Sequence, residues 1–86
     1  PNSAVYVFYN RKKEAIYIGN STNLEKTFSK YVETDFEGDE CKQKTQFYQR
    51  EFIENPKERQ LQLIEEFQKE TGNIPFCNAE IQIETR

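Results

Sequence analysis

The chain has 86 residues and a formal net charge of −3. That length supplies material for one hydrophobic core and excludes two independently folded units, so a single domain over 1–86 with its core in 4–78 is expected. Residues 1–31 carry five Lys or Arg against two Glu, a net of +3, whereas residues 32–86 carry seven against thirteen acids, a net of −6. This excludes a general nucleic-acid binder with a dominant basic surface and leaves only weak long-range attraction to a phosphate backbone.

Taken in chain order, AVYVFY (Ala4 to Tyr9) is rich in strand formers. AIYI (Ala15 to Ile18) is a second short strand, and NRKKE between them predicts a hairpin. Both faces of the first strand are apolar, which predicts a sheet covered on both sides. Gly19 ends the second strand, as expected where the backbone turns sharply or approaches another group closely. Ser21, Thr22 and Asn23 offer three N-caps. Leu24, Phe28 and Tyr31 then recur at helical spacing, predicting a helix from Leu24 to Val32.

ETDFEGDECKQ reads as a loop, and TQFYQREFI (Thr45 to Ile53) as a third strand. In the next stretch Asn55 is placed to cap a helix, Pro56 to open it and Glu58 to complete a capping box, while Gly72 is placed to stop it. Leu63, Ile64 and Phe67, flanked by Leu61, form its apolar face, and Gln60 points to the same side. AEIQIET alternates like a short strand or an extended tail. The fold expected is α/β: a small, three-stranded, mostly antiparallel sheet flanked by helices.

His is absent and the two cysteines, Cys41 and Cys77, are 36 positions apart. That spacing fits neither a zinc knuckle nor a redox pair, and both are expected as free thiols. No apolar run is long enough to span a membrane and no signal-peptide core is present, so no membrane partner and a cytoplasmic location are expected. The chain starts at Pro1 and contains no Met, and it reads as a processed product or a domain cut from a longer protein.

AVYVFYN followed by AIYIGNSTNL resembles the paired strands of the GIY-YIG endonuclease family. TFSKY resembles that family's first helix, and the Leu63–Ile64 helix followed by IPFCN resembles the closing part of its UvrC-like branch. The resemblance covers most of residues 4–78. It implies cleavage of DNA phosphodiester bonds with Mg²⁺ or Mn²⁺, using strand tyrosines, a helix arginine, a further tyrosine and a metal-holding glutamate. Carried to this chain, the tyrosines are Tyr6, Tyr17 and Tyr31, with Gly19 and Asn78 as supporting positions. Ala4 stands where the first motif has glycine.

Three positions depart from the pattern. Asn20 stands for the family's lysine, Thr27 for its arginine and Gln60 for its glutamate. Threonine offers one neutral hydroxyl where arginine presents a cationic fork. Glutamine offers a neutral carbonyl where glutamate gives a hard cation an anionic oxygen. The joint change predicts a degenerate site and an impaired enzyme, serving as an interaction or weak nucleic-acid-binding module beside a protein partner or adjoining domain. The alternative is an active, metal-dependent DNA endonuclease in which other groups have taken over.

For that alternative, Lys26 and Lys30 are candidates to replace the arginine, although they lie about 100° and 300° from Thr27 around the helix. Glu58 is a candidate metal ligand, although it is also the natural capping-box residue. Arg11, Lys12 and Lys13 are candidate phosphate contacts or an ordinary solvated turn. The acidic stretch Asp35 to Glu40 lacks EF-hand spacing and reads as a charged loop before a calcium site.

Overall fold

The computed structural model describes residues 2–78. Three strands, β1 (Ala4–Tyr9), β2 (Ala15–Ser21) and β3 (Phe47–Phe52), and two helices, α1 (Leu24–Thr34) and α2 (Pro56–Thr71), account for most of it. The sheet order is β2-β1-β3 and both pairings are antiparallel. The expected α/β architecture is therefore observed. β3 is shorter than the predicted Thr45 to Ile53, because the Thr45 hydroxyl bonds the Lys42 carbonyl in a turn at 2.7 Å. The alternating segment after Asn78 lies outside the described residues.

β1 is central, and its register fixes the rest. Tyr6 lies opposite Gly19 on β2 and Arg50 on β3, while Val5 lies opposite Asn20 and Glu51. The hairpin is closed by its own first residue: the Asn10 side-chain oxygen accepts the amides of Lys12 and Glu14 at 3.0 and 2.9 Å. An Asx turn of this kind offers the chain a local route to reverse without a glycine. Lys13 takes the left-handed conformation there, at φ 65°.

Alternation along β1 sends two sets of side chains to opposite faces. Ala4, Tyr6 and Phe8 form a buried cluster with Leu24 and Tyr31 of α1 and with Cys77. Val5 is equally buried on the other face, which α2 covers. The expectation of a sheet covered on both sides is met at β1 and β2, whereas β3 is exposed along its length. Much of the packing is aromatic: the Tyr6 ring lies 5.2 to 6.2 Å from those of Phe8, Phe28, Tyr17 and Tyr31. Tilted and edge-on pairs at such distances contribute about 0.5–1.5 kcal/mol each beyond area burial.

Of the three candidate caps for α1, Asn23 does the work, its side chain accepting the Lys26 amide at 3.2 Å. The helix runs two residues past Val32 and stops at Asp35, whose φ is 51° and whose amide returns to the Tyr31 carbonyl. α2 begins at Pro56 as expected and ends at Gly72, with φ 82° and an amide bond to the Gln68 carbonyl. The predicted capping box does not form: Asn55 makes no side-chain cap and Glu58 is exposed. Pro56, which has no amide to cap, is instead buried. Gln60, Leu63, Ile64 and Phe67 are partly buried as the pattern requires, but Leu61 is 57% exposed.

The free-thiol expectation is overturned. Cys41 and Cys77 form a disulfide, with Cα atoms 5.7 Å apart. The loop after α1 and the segment after α2 both fold onto the Tyr6 cluster, so residues remote in sequence become neighbours. Sequence spacing carries no trace of that meeting.

Candidate active site

The three tyrosines do converge. The Tyr6 and Tyr31 hydroxyls are hydrogen-bonded at 3.0 Å, and the Tyr6 and Tyr17 ring centroids are 6.1 Å apart. Tyr6 and Tyr31 are buried, whereas Tyr17 is half-buried. Gly19 lies beneath them. A Cβ there would stand 2.5 Å from Tyr6 Cζ and 2.7 Å from Tyr17 Cε2, so only glycine leaves room for both rings. The close approach expected at Gly19 is between its backbone and these tyrosines.

Burial, together with the Tyr31 and Tyr17 oxygens, pushes the Tyr6 phenol well above its ordinary value of 10.0. Burial also raises the Tyr17 phenol, although Lys42 pulls it the other way. A phenol raised from 10 is poorly matched to accept a proton near neutral pH.

Each position at which the motif resemblance expects a different residue is bound into a neutral partnership. Gln60 Nε2 donates to the Ile18 carbonyl at 2.8 Å, and its Oε1 accepts from Asn20 Nδ2 at 2.5 Å. The Thr27 and Ser21 hydroxyls lie 2.6 Å apart, and Ser21 Oγ also accepts the Asn23 amide. Asn20 and Gln60 meet on the α2 side of the sheet, and Ser21 and Thr27 on the α1 side. Asn78 closes the arrangement: its Oδ1 accepts the Ile18 amide at 2.9 Å and its Nδ2 donates to the Ile18 carbonyl at 3.0 Å. Among the described residues no buried side-chain nitrogen or oxygen lacks a partner.

The other candidates lie apart from the cleft chemistry. Lys26 and Lys30 are exposed on α1, and Lys30 pairs with Glu37 at 3.4 Å. Glu58 is about 200° from Gln60 around α2, so the two cannot substitute for each other in place. Arg11, Lys12 and Lys13 are exposed at the hairpin tip. The acidic loop forms a tight turn with Asp35, Phe36 and Glu37 all at positive φ. Asp39 there spends its Oδ1 on the amides of Cys41 and Lys42. Among the described residues no group of three His, Cys, Asp or Glu is placed to hold a metal ion.

Sequence reasoning missed Lys42. It is 8% exposed, with its ammonium 4.3 Å from the Tyr17 ring centroid and 5.4 Å from that of Tyr31. Burial works against its charge, but Tyr17, Tyr31 and Asp39 outweigh that cost and raise its pKa. No local signal marks Lys42, since it sits in an acidic loop eleven residues beyond Tyr31.

A hairpin feeding a helix, with a second helix across the sheet and tyrosines stacked over a strand glycine, is the frame the motifs predict. The chain matches the GIY-YIG catalytic domain over residues 2–74. It belongs to the GIY-YIG family. No curated protein and no solved structure matches it. The GIY-YIG match ends before Pro75, so Cys77 and Asn78 lie beyond the matched residues. Among the described residues no helix is long and apolar enough to cross a membrane.

Proposed function

We propose that this GIY-YIG domain no longer hydrolyses phosphodiester bonds and acts as an interaction module, with at most weak contact to DNA. The observation that carries this reading is the hydrogen bonding of Gln60. Its amide nitrogen faces a carbonyl, Ile18 O, so a carboxylate placed there would set two acceptors against each other. Its one oxygen is taken by Asn20. The residues present do not fit a divalent cation, because the position that would hold it is neutral and already bonded on both atoms.

Asn20 and Thr27 support the same reading. Neither carries charge, and each bonds a protein neighbour instead of facing a ligand. Electrostatic stabilisation of a developing phosphorane charge needs preorganised cations or a metal, and three such contributions are absent together. Within the family we favour the UvrC-like branch, supported by the Leu63–Ile64 helix leading into Ile74 to Asn78. A protein partner or an adjoining domain is the proposed target, given the acidic balance of residues 32–86.

Purified domain incubated with supercoiled, single-stranded and branched DNA in Mg²⁺ or Mn²⁺ tests this. No cleavage is expected. Metal-dependent cutting that disappears in Tyr17→Phe would overturn the reading in favour of an active endonuclease.

A further inference from the structure

The outer margin of β3 is an unprotected strand edge. Its pairing with β1 runs without a bulge from Phe47 to Phe52. The Ile53 amide donates to the Ser3 carbonyl at 3.0 Å, which fixes the phase of the ladder. By alternation, Phe47, Gln49 and Glu51 turn their backbone groups to β1, and Tyr48, Arg50 and Phe52 turn theirs outward. Strand edges are commonly protected by proline, lysine or a bulge, and FYQREF has none of these.

A groove lies beside each face of this strand. Register places Tyr48, Arg50 and Phe52 on the α1 face, with Phe8, Tyr6 and Ala4 beside them on β1. The groove there is lined from α1 by Phe28 and Val32 and by two acids, Glu25 and Glu33. Phe47, Gln49 and Glu51 take the α2 face, where Val5, Val7 and Leu63 line a second groove. Phe47, Tyr48 and Phe52 are each about half exposed, and Val32 is more so. A strand that extended the sheet would use the outward backbone groups and cover apolar surface on both faces at once.

The side chains point to one occupant, β3 of a second copy. Antiparallel self-pairing around a two-fold axis at Gln49 sets Tyr48 opposite Arg50, Gln49 opposite itself and Phe47 opposite Glu51. Tyr48 and Arg50 have outward backbone groups, so their pair takes the hydrogen-bonded position. No like charges are opposed, and each guanidinium gains a tyrosine across the strand. Moving the axis to Arg50 would oppose two guanidinium groups, and moving it to Tyr48 would set Phe52 against Lys44, outside the strand. Among the described residues Arg50 makes no ion pair and packs over Phe52 at 5.6 Å. Self-pairing carries it toward the other copy's groove, whose two acids face a single cation of their own.

We propose that the chain pairs with a second copy of itself through β3, joining two sheets into one with Gln49 at the two-fold axis. This rests on the interaction-module reading above and names the partner as the same chain. Sedimentation velocity over a concentration series should show a reversible monomer–dimer equilibrium. Arg50→Pro removes an outward amide and leaves the bonds to β1, so it should raise the dimer dissociation constant about tenfold or more. Gln49→Cys sets two thiols opposite each other with Cα atoms about 4.5 Å apart, within disulfide range. It should crosslink into a dimer under oxidised glutathione. Glu51→Cys, on the same face, should not, because its two copies lie four positions, about 13 Å, apart. The native cysteines are bonded to each other, so an added thiol has no native competitor.

A chain that stays monomeric up to about 1 mM overturns the proposal, and leaves the β3 margin to a strand of another protein. A dimer that forms equally well in Arg50→Pro, or that crosslinks at Glu51→Cys and not at Gln49→Cys, also overturns it. If Arg50→Pro fails to fold, the two cysteine variants decide alone. A dimer that cuts DNA in Mn²⁺ overturns the proposed loss of cleavage but not this interface. A monomer that does not cut overturns the interface and leaves the loss of cleavage standing.

Discussion

Asn20 and Gln60, forty residues apart, hydrogen-bond to each other through their carboxamides. The motif resemblance expects an ionisable group at each position, and here two neutral side chains satisfy each other. A lysine and a glutamate in contact would also be a matched pair. The neutral version keeps the link between β2 and α2 without any charge to desolvate.

Gln60→Glu should therefore destabilise the domain by about 1–3 kcal/mol, since it removes the donor to Ile18 O and sets a carboxylate against that carbonyl. Adding Asn20→Lys should recover part of the loss, and a double-mutant cycle from urea unfolding would measure the coupling. Melting with and without Mn²⁺ adds a second readout. A melting temperature that rises with metal in the double variant would mean the old pocket still opens to a cation. We expect no rise.

Gly19→Ala should cost about 1–3 kcal/mol, because the new Cβ would stand 2.5 Å from the Tyr6 ring and 2.7 Å from the Tyr17 ring and both must shift. Near-UV circular dichroism of the tyrosines should change along with the melting temperature. An unchanged spectrum would contradict the close stacking of these rings over β2.

Alkaline pH should unfold the protein more readily than it would if the phenols were ordinary. Folding raises the Tyr6 and Tyr17 phenols above 10.0 and the Lys42 ammonium above 10.5. The folded state holds these protons more tightly, so the contribution is fully present below the unfolded values and is lost as pH rises past them. Denaturant titrations across pH 9 to 12 should show stability falling from about pH 10 upward. Tyr6→Phe should flatten part of that slope.

Breaking the disulfide by Cys41→Ser should lower stability by about 2–4 kcal/mol, as expected for a crosslink closing a loop of this length. Urea unfolding of the variant, and of wild type with and without reductant, would check it. The reduced wild type and the variant should agree closely.

Elements with a local cause were legible in the sequence. The Asn10 turn, the Leu24–Phe28–Tyr31 spacing, and Pro56 and Gly72 bounding α2 each carry their signal within a few residues. Asn55 and Glu58 had the right spacing for a capping box, yet tertiary contacts at Pro56 took precedence. At the site, the tyrosines and Gly19 were legible through motif resemblance. Lys42 and the Cys41–Cys77 bond were not, because each depends on where a loop lands after the sheet and both helices have formed. Thr27 was read as a loss, and only the Ser21 hydroxyl beside it reveals what it does instead.

The Asn78 carboxamide meets both the amide and the carbonyl of Ile18, as the backbone of a neighbouring strand would. With Gln60 bonded to the same carbonyl, both backbone groups of Ile18 on the outer margin of β2 are taken, which hinders strand pairing there. β3 is the other margin, fully exposed along its length and bearing Phe47, Tyr48 and Phe52. Among the described residues nothing extends the sheet beyond β3. Any strand added to this sheet, from a partner or from an aggregating copy, is thereby directed to the β3 margin. The carboxamides of Asn78 and Gln60 thus give a three-stranded sheet a direction of growth.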